Sequence, residues 1–187
     1  METQVLDLLW RRKATRAIAA RPVEPEKVEV ILEAARLSAS CANKQPWRFL
    51  VLDEPEALEK GRQALSRGNY WAKMAPVLIV GYSKPDLDCI LSDGRRYYQF
   101  DLGMAVQNIL LQAAELDLVA RPMAGYSPQK VKEMFDIPDE FEVMVFIAIG
   151  YEGDISTLEE RHQRISRDPR QRRPLEEVVN FNRLTER

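Results

Sequence analysis

Two basic clusters lie near opposite ends of the chain, Arg11-Arg12-Lys13-Ala14-Thr15-Arg16 and Arg170-Gln171-Arg172-Arg173. Guanidinium groups hold phosphate through paired N–H donors, so cations of this type suit the anionic end of a ligand. Between the clusters runs Ser38-Ala39-Ser40-Cys41-Ala42-Asn43-Lys44-Gln45-Pro46-Trp47. Ser40 offers a hydroxyl and Asn43 an amide there, and Ala39, Cys41 and Ala42 are small enough for a planar ring to approach the backbone. A third stretch, Pro122-Met123-Ala124-Gly125, can present backbone N–H groups, because neither Ala124 nor Gly125 has a side chain long enough to hold a ligand off. These groups suit a ligand with a phosphate at one end and a flat, hydrogen-bonding ring at the other. Plainer readings stand beside each of them: a solvated helix end or nucleic-acid-facing tail for the arginines, and an exposed helix-to-strand connection for the loop.

The elements that must position these groups follow from periodicity and breakers. Val5, Leu6, Leu8 and Leu9 predict a short amphipathic helix ending at the first basic run. Glu24-Pro25-Glu26 opens a second helix with a buried stripe of Val28, Ile31, Leu32 and Ala35. Pro46 takes Gln45 out of the helical region, which makes a stiff turn into a strand from Trp47 to Leu52. Pro55-Glu56 begins a helix ended by Gly68-Asn69, and the aromatic pair Tyr70-Trp71 either borders a substrate channel or caps the core. The unbroken apolar run from Ala75 to Tyr82 predicts a strand buried on both faces. Arg95 to Leu118 carries the longest helical pattern, narrowed by Gly103 and Ala105 as a helix packed on another helix requires, in this subunit or a symmetry mate. A strand ends at the Pro122–Gly125 turn, Ser127-Pro128 caps a helix with Val131, Met134 and Phe135, and Glu142 to Tyr151 is the most hydrophobic strand.

With 187 residues, a hydrophobic share of 45% and a charged share of 30%, the chain fits one soluble domain, and a net charge of -2 argues against a nucleic-acid binder. Cys41 and Cys89 cannot make a disulfide framework, and with His162 as the single histidine there is no zinc spacing, so no structural metal is expected. Cys89 reads as a small hydrophobe and His162 as a surface residue. Met1 to Asp7 lacks the order of a signal peptide and no apolar run reaches membrane length, so cytoplasmic residence is expected. No Gly-x-Gly-x-x-Gly follows a strand and no Walker loop is present, which leaves a mononucleotide such as FMN as the better fit.

The loop resembles that of the nitroreductase family, flavoenzymes with Ala-Ala-Arg, a variable residue, Ala-Pro-Ser, two small residues, Asn, a variable residue and Gln-Pro-Trp. Ser40, Asn43, Gln45, Pro46 and Trp47 agree, while Ser38 and Ala39 stand in place of Ala-Pro. By this resemblance Arg12, Lys13 and Arg16 grip the flavin phosphate, with Ala14 where the family has Ser. The lost hydroxyl implies binding weaker by about 1 kcal/mol. Asp101, Gly103, Ala105 and Asn108 match the family's Asp-x-Gly-x-Ala-x-x-Asn helix, which contributes to a dimer interface. Ala124 and Gly125 correspond to the turn whose backbone bonds the central redox nitrogen, with Pro122 and Met123 walling the ring; many members have an acid where Ala124 stands. Arg170 and Arg172 match a pair that returns to the same phosphate, and Arg173 is the reserve for a shift of register.

The implied fold is α+β, a mixed, mostly antiparallel sheet between helices. Residues 1–151 form the flavin-binding core and 152–187 an extension, poor in apolar residues, that adds to the partner's sheet in an intertwined homodimer. The implied activity is ping-pong hydride transfer from NADH or NADPH through FMN to nitroaromatics, quinones or a similar electron-poor small molecule. The flavin carries that chemistry, so no catalytic side chain is named. The competing readings are a specialised flavin reaction such as dehalogenation or flavin cleavage, for which the short Lys84–Asp93 connector leaves little room for a lid, and a non-enzymatic binding module whose Arg-rich tail, with Arg161, Arg164 and Arg167, contacts RNA or an acidic partner. The latter ranks last because no aromatics are interleaved with those arginines.

Overall fold

In the computed structural model residues 4–184 are described. Met1, Glu2 and Thr3 of the acidic opening, and the last three residues of the extension, lie outside them. The strands β1 (Arg48–Leu52), β2 (Val77–Ser83), β3 (Val119–Met123) and β4 (Glu142–Gly150) form one sheet in the order β1-β2-β4-β3. Every pairing in it is antiparallel, so the fold is α+β as expected and the sheet, expected to be mostly antiparallel, is wholly so among the described residues.

Side chains alternate across a strand, and here both faces are covered. Val77 and Ile79 of β2 and Ile147 and Ile149 of β4 join one core, while Leu78 and Val80 with Phe146 and Ala148 join the other. That double burial explains why β2 and β4 read as continuous apolar runs rather than alternating ones. On the first face lie α2 (Pro25–Arg36), through Val28, Ile31 and Ala35, and α4 (Tyr97–Glu115), through Leu102, Ala105, Ile109 and Ala113. On the second lie α3 (Pro55–Ala64), the 3-10 segment Arg67–Met74 with Trp71, and α5 (Pro128–Phe135) with Val131. Ser127 accepts from the Lys130 N–H and so caps α5 as its sequence predicts.

The chain's two ends are shaped by what they leave uncovered. The helix α1 (Asp7–Arg11) forms at the predicted place but buries none of its residues, and Leu6 and Trp10 stay exposed. The extension first returns to its own core. Ile18 and Glu152 form an isolated bridge, the Gly153 N–H donates to the Ala17 carbonyl over 2.9 Å, and Leu158 is buried. Beyond α6 (Glu160–Arg167) the chain lies on the surface, and around α7 (Leu175–Val178) it exposes Leu175, Val178, Phe181 and Leu184. Among the described residues no helix is long and apolar enough to cross a membrane.

Gly153 is where the extension presses against the first basic segment. A Cβ there would stand 2.8 Å from the Ala19 nitrogen and 2.9 Å from the Ile18 carbonyl carbon, both backbone atoms that cannot rotate away. Gly153→Ala is expected to lower unfolding free energy by about 1–3 kcal/mol. Gly68→Ala, where a Cβ meets nothing within 4 Å, should stay within about 0.5 kcal/mol. Urea unfolding of the two variants checks both.

Candidate functional site

The two basic clusters meet. The Arg170 guanidinium donates to the Leu9 carbonyl over 3.0 Å and to the Arg12 carbonyl, so the end of the chain lies directly on its beginning. Burial and then the charges of Arg170 and Arg172 push the Arg12 pKa down. Arg16 is pushed down by burial, with Arg161 adding to the effect and the neighbouring Tyr70 opposing it. Among the described residues no ion pair includes Arg12, Arg16, Arg121, Arg161, Arg170 or Arg172. Lys13 is placed otherwise: its ammonium faces Glu152 at 3.5 Å, and with Arg11 and Asp117 it borders a separate groove. Arg173 faces Glu177 at 3.8 Å, which leaves Arg170 and Arg172 as the pair turned to the first cluster.

The Ser40–Gln45 loop is held in a strained shape from several sides. Ala42, Asn43 and Gln45 all have positive φ, at 46°, 55° and 51°, a region costly for residues with a Cβ. Gln45 has left the right-handed helical region as expected ahead of Pro46, but for the left-handed region rather than an extended one. Ser40 Oγ accepts from the Gln45 N–H over 3.0 Å, and the Gln45 amide donates to both the carbonyl and the side-chain oxygen of Asn43 at 3.2 Å. From α4, Asp101 Oδ2 accepts from the Cys41 N–H at 2.7 Å, and Asn108 donates to Ser38 Oγ at 2.7 Å.

Contrary to its reading as a free small hydrophobe, Cys89 is joined to Cys41 by a disulfide that ties the loop to the connector before α4. The two positions are 48 residues apart in sequence, and no spacing rule links such a pair. Beside the bridge Asp88 is buried, with one oxygen accepting from the Cys89 N–H and the other unpartnered. Asp101 is fully buried, and its second oxygen is likewise unpartnered. Burial raises the Asp101 pKa, the Cys41 N–H opposes the rise, and the neighbouring Asp88 adds to it. Cys41, Cys89 and Asp88 bring ligand-type atoms together, but the two sulfurs are spent on each other. The loop borders a cavity of about 430 Å³ lined by Ser40, Cys41, Arg95, Tyr97, Phe100 and Asp101.

The third group sits at the end of β3. Gly125 is locked by its carbonyl, which accepts from the Ser66 N–H at 2.9 Å and Asn69 Nδ2 at 2.8 Å. A Cβ on Gly125 would stand 2.6 Å from Ser66 Oγ and 2.8 Å from Asn69 Nδ2, so a side chain there would displace both, including the amide that bonds the Gly125 carbonyl. Its N–H meets no acceptor among the described residues. Pro122 and Ala124 are exposed beside it, whereas Met123 is buried in the core rather than lining the surface.

A model of the Nitroreductase family matches residues 9–151. The chain belongs to the nitroreductase family. A relative from Archaeoglobus fulgidus, provisionally named NADH dehydrogenase/NAD(P)H nitroreductase, is 27% identical over 169 residues, which is 88% of this chain and 95% of that one. One from Stenotrophomonas maltophilia K279a with the same provisional name is 31% identical over 189 residues, covering 90% and 95% of the two chains. A solved structure described as an oxidoreductase containing FMN is similar with a TM-score of 0.89 at 32% identity, over 100% of this chain and 96% of that one. A nitroreductase family protein from Clostridium difficile 630 gives a TM-score of 0.80 at 28% identity, over 97% and 100%.

Within this nitroreductase the sequence-predicted residues fall into two groups. Arg12 with Arg170 and Arg172, and Arg16 beside Arg121 and Arg161, lie at the start of the chain, and Ser40, Asn43 and Gln45 form the loop. No hydrogen bond, ion pair or cavity found among the described residues joins one group to the other. Sequence reasoning passed over Arg121, whose guanidinium donates to the Ala14 carbonyl. The signal was available: it is the one charged residue in the β3 sequence Val119-Ala120-Arg121-Pro122-Met123. His162, read as a surface residue, is half-buried and stacks on Tyr70 at 5.5 Å between ring centroids.

Two outcomes are expected from the loop's anchors. Denatured protein prepared without reductant should show no free thiol, and Cys41→Ser/Cys89→Ser should unfold about 2–4 kcal/mol more easily than the oxidised parent. Asp101 has a folded pKa above its unfolded one, so the folded state binds its proton more tightly. Its contribution is therefore most favourable below the ordinary carboxylate value of about 3.9 and is lost as pH rises through the folded value. Asp101→Asn keeps an acceptor for the Cys41 N–H and gives Asp88 a donor, so the fall in stability between about pH 4 and about pH 7 should shrink. Denaturation midpoints at both pH values check this.

Proposed function

We propose that this nitroreductase is an FMN-dependent NAD(P)H oxidoreductase acting as a homodimer, with nitroaromatics, quinones or similar electron-poor small molecules as acceptors. The observation that carries the reading is the convergence of Arg12 with Arg170 and Arg172, and beside it of Arg16 with Arg121 and Arg161, without any carboxylate partner among the described residues. Arg12 and Arg16 are half-buried, where an unpaired cation is costly, and guanidinium forks match the oxygens of a phosphate. The unpaired Gly125 N–H and the exposed Pro122 and Ala124 beside it fit the edge of a flat ring, so the residues present suit FMN. Bound there, FMN would supply hydride acceptance from the nicotinamide and donation to the acceptor.

The chain's own contribution is position and charge. Arg12, Arg16, Arg170 and Arg172 would fix the phosphate, the Gly125 N–H would donate to the redox nitrogen, and Ser40, Asn43 and Gln45 would face the ring. Nothing in the site requires a general acid from the protein. A shared site for donor and acceptor implies that each leaves before the other enters, hence ping-pong kinetics.

The loop precedes β1 and the Gly125 turn follows β3, at opposite edges of the sheet. Three strand spacings of about 4.8 Å separate them, roughly 14 Å, which supports a ring held between the turn of one copy and the loop of the other. The exposed Phe100 on α4, α1, and the uncovered Leu175, Val178 and Phe181 of the extension are the surfaces such a dimer would bury. On this reading residues 1–151 are the core, 152–187 the arm laid on the second copy, and the protein resides in the cytoplasm.

The purified protein should be yellow, or become so on adding FMN. NADH or NADPH should bleach it without oxygen, and a quinone or nitroaromatic should restore the colour. Protein that stays colourless with FMN present would overturn the proposal.

A further inference from the structure

We infer that Arg121 is an additional ligand of the phosphate, taking up the role left open by Ala14 and by the turning away of Lys13. The inference rests on the FMN reading of the site but concerns a residue that the family's pattern does not assign. Val119 and Met123 of β3 both belong to the core that contains Trp71, so by the two-residue period Arg121 between them points to the same side. Its guanidinium lies over the Trp71 ring, 5.3 Å from the ring centre, within the range of a cation–π contact. One N–H is fixed on the Ala14 carbonyl, at the position where a side-chain hydroxyl is missing. The other N–H groups bond to nothing among the described residues. Arg121 is half-buried, and the nearby charge it feels is the like charge of Arg16. A cation fixed by a carbonyl on one edge and an aromatic face below is preorganised to offer its free fork to an anion. The alternative, a purely structural bond to Ala14, leaves the convergence of Arg121 on Arg16 uncompensated.

The test compares FMN with riboflavin, which has the same ring and no phosphate. Apoprotein is titrated with each, following flavin fluorescence, for the parent, Arg121→Met and Arg121→Lys. A phosphate ligand predicts an FMN affinity about 10- to 100-fold lower in Arg121→Met, a smaller loss in Arg121→Lys, and riboflavin affinity unchanged in both. Inorganic phosphate should raise the melting temperature of the parent apoprotein, and by less in the variants.

Equal losses for FMN and riboflavin would show a structural residue and overturn the inference, as would variants that bind FMN like the parent. If Arg121→Met does not fold, Arg121→Lys decides by the same comparison, since it keeps the charge and loses the fork. Failure of the parent itself to bind FMN sinks the proposed function instead, a result distinct from either of these.

Discussion

The arrangement depends on holding like charges together without their usual opposites. Arg12 feels Arg170 and Arg172, and Arg16 feels Arg161. Burial and Arg16 bring the Arg121 pKa down to about 10. At that value Arg121 is still a cation at neutral pH, so the repulsion is real and not relieved by proton loss. Backbone carbonyls of Leu9, Arg12 and Ala14 take some of the donors, which satisfies hydrogen bonding but leaves the charge. The extension must therefore be delivered to the first segment by forces other than ion pairing. Close backbone packing at Gly153 and the burial of Leu158 do that, and α6 and the Arg170 segment follow from there. The repulsion is best relieved by an anion, so the fold tolerates a cost that a phosphate would offset.

A second local cost sits in the loop. Three residues with positive φ in close succession cost of order 1–3 kcal/mol each, and they persist because their neighbours fix them. Asp101 reaches over from α4, Ser40 closes the turn on Gln45, and the disulfide ties the loop to the connector. Asp101 is a compromise: it binds the Cys41 N–H but is buried with a free oxygen beside Asp88. In a reducing compartment the disulfide would be open to thiol exchange, whereas the hydrogen bonds would remain, so the loop has one anchor that depends on redox state and several that do not.

How much of this was legible in the sequence follows from the range of the interactions. The strands β2 and β4, α4 and the cap of α5 rest on local periodicity and breaker residues, and they stand where those signals put them. The convergence of the arginines was legible only through resemblance, since nothing local links residue 12 to residue 170. Arg121 is marked in the sequence as the lone cation of β3, but nothing local says that it turns to Ala14 and Arg16, so its place in the site was missed. The disulfide was missed for a related reason: two cysteines far apart in sequence pair only through tertiary placement. Lys13 and Arg12 are neighbours in sequence, yet one faces Glu152 and the other Arg170 and Arg172. The side on which each residue falls is set by packing against β3 and the extension, not by composition.

Under the proposed dimer the same geometry couples assembly to ligand binding. The basic cluster and the Gly125 turn lie toward the β3 side of the sheet and the strained loop precedes β1, so one copy offers a phosphate grip and one ring edge, while the remaining ring contacts come from the second copy. A ligand that touches both copies binds the dimer better than the monomer, and mass action then shifts dissociated chains toward the dimer as it fills. The extension adds to this link, because Arg170 and Arg172 lie in the segment that leads to the exposed Leu175, Val178 and Phe181. Ordering the phosphate contacts would hold that segment in place for docking, and docking would hold the arginines for the phosphate. Each process then pays part of the ordering entropy of the other.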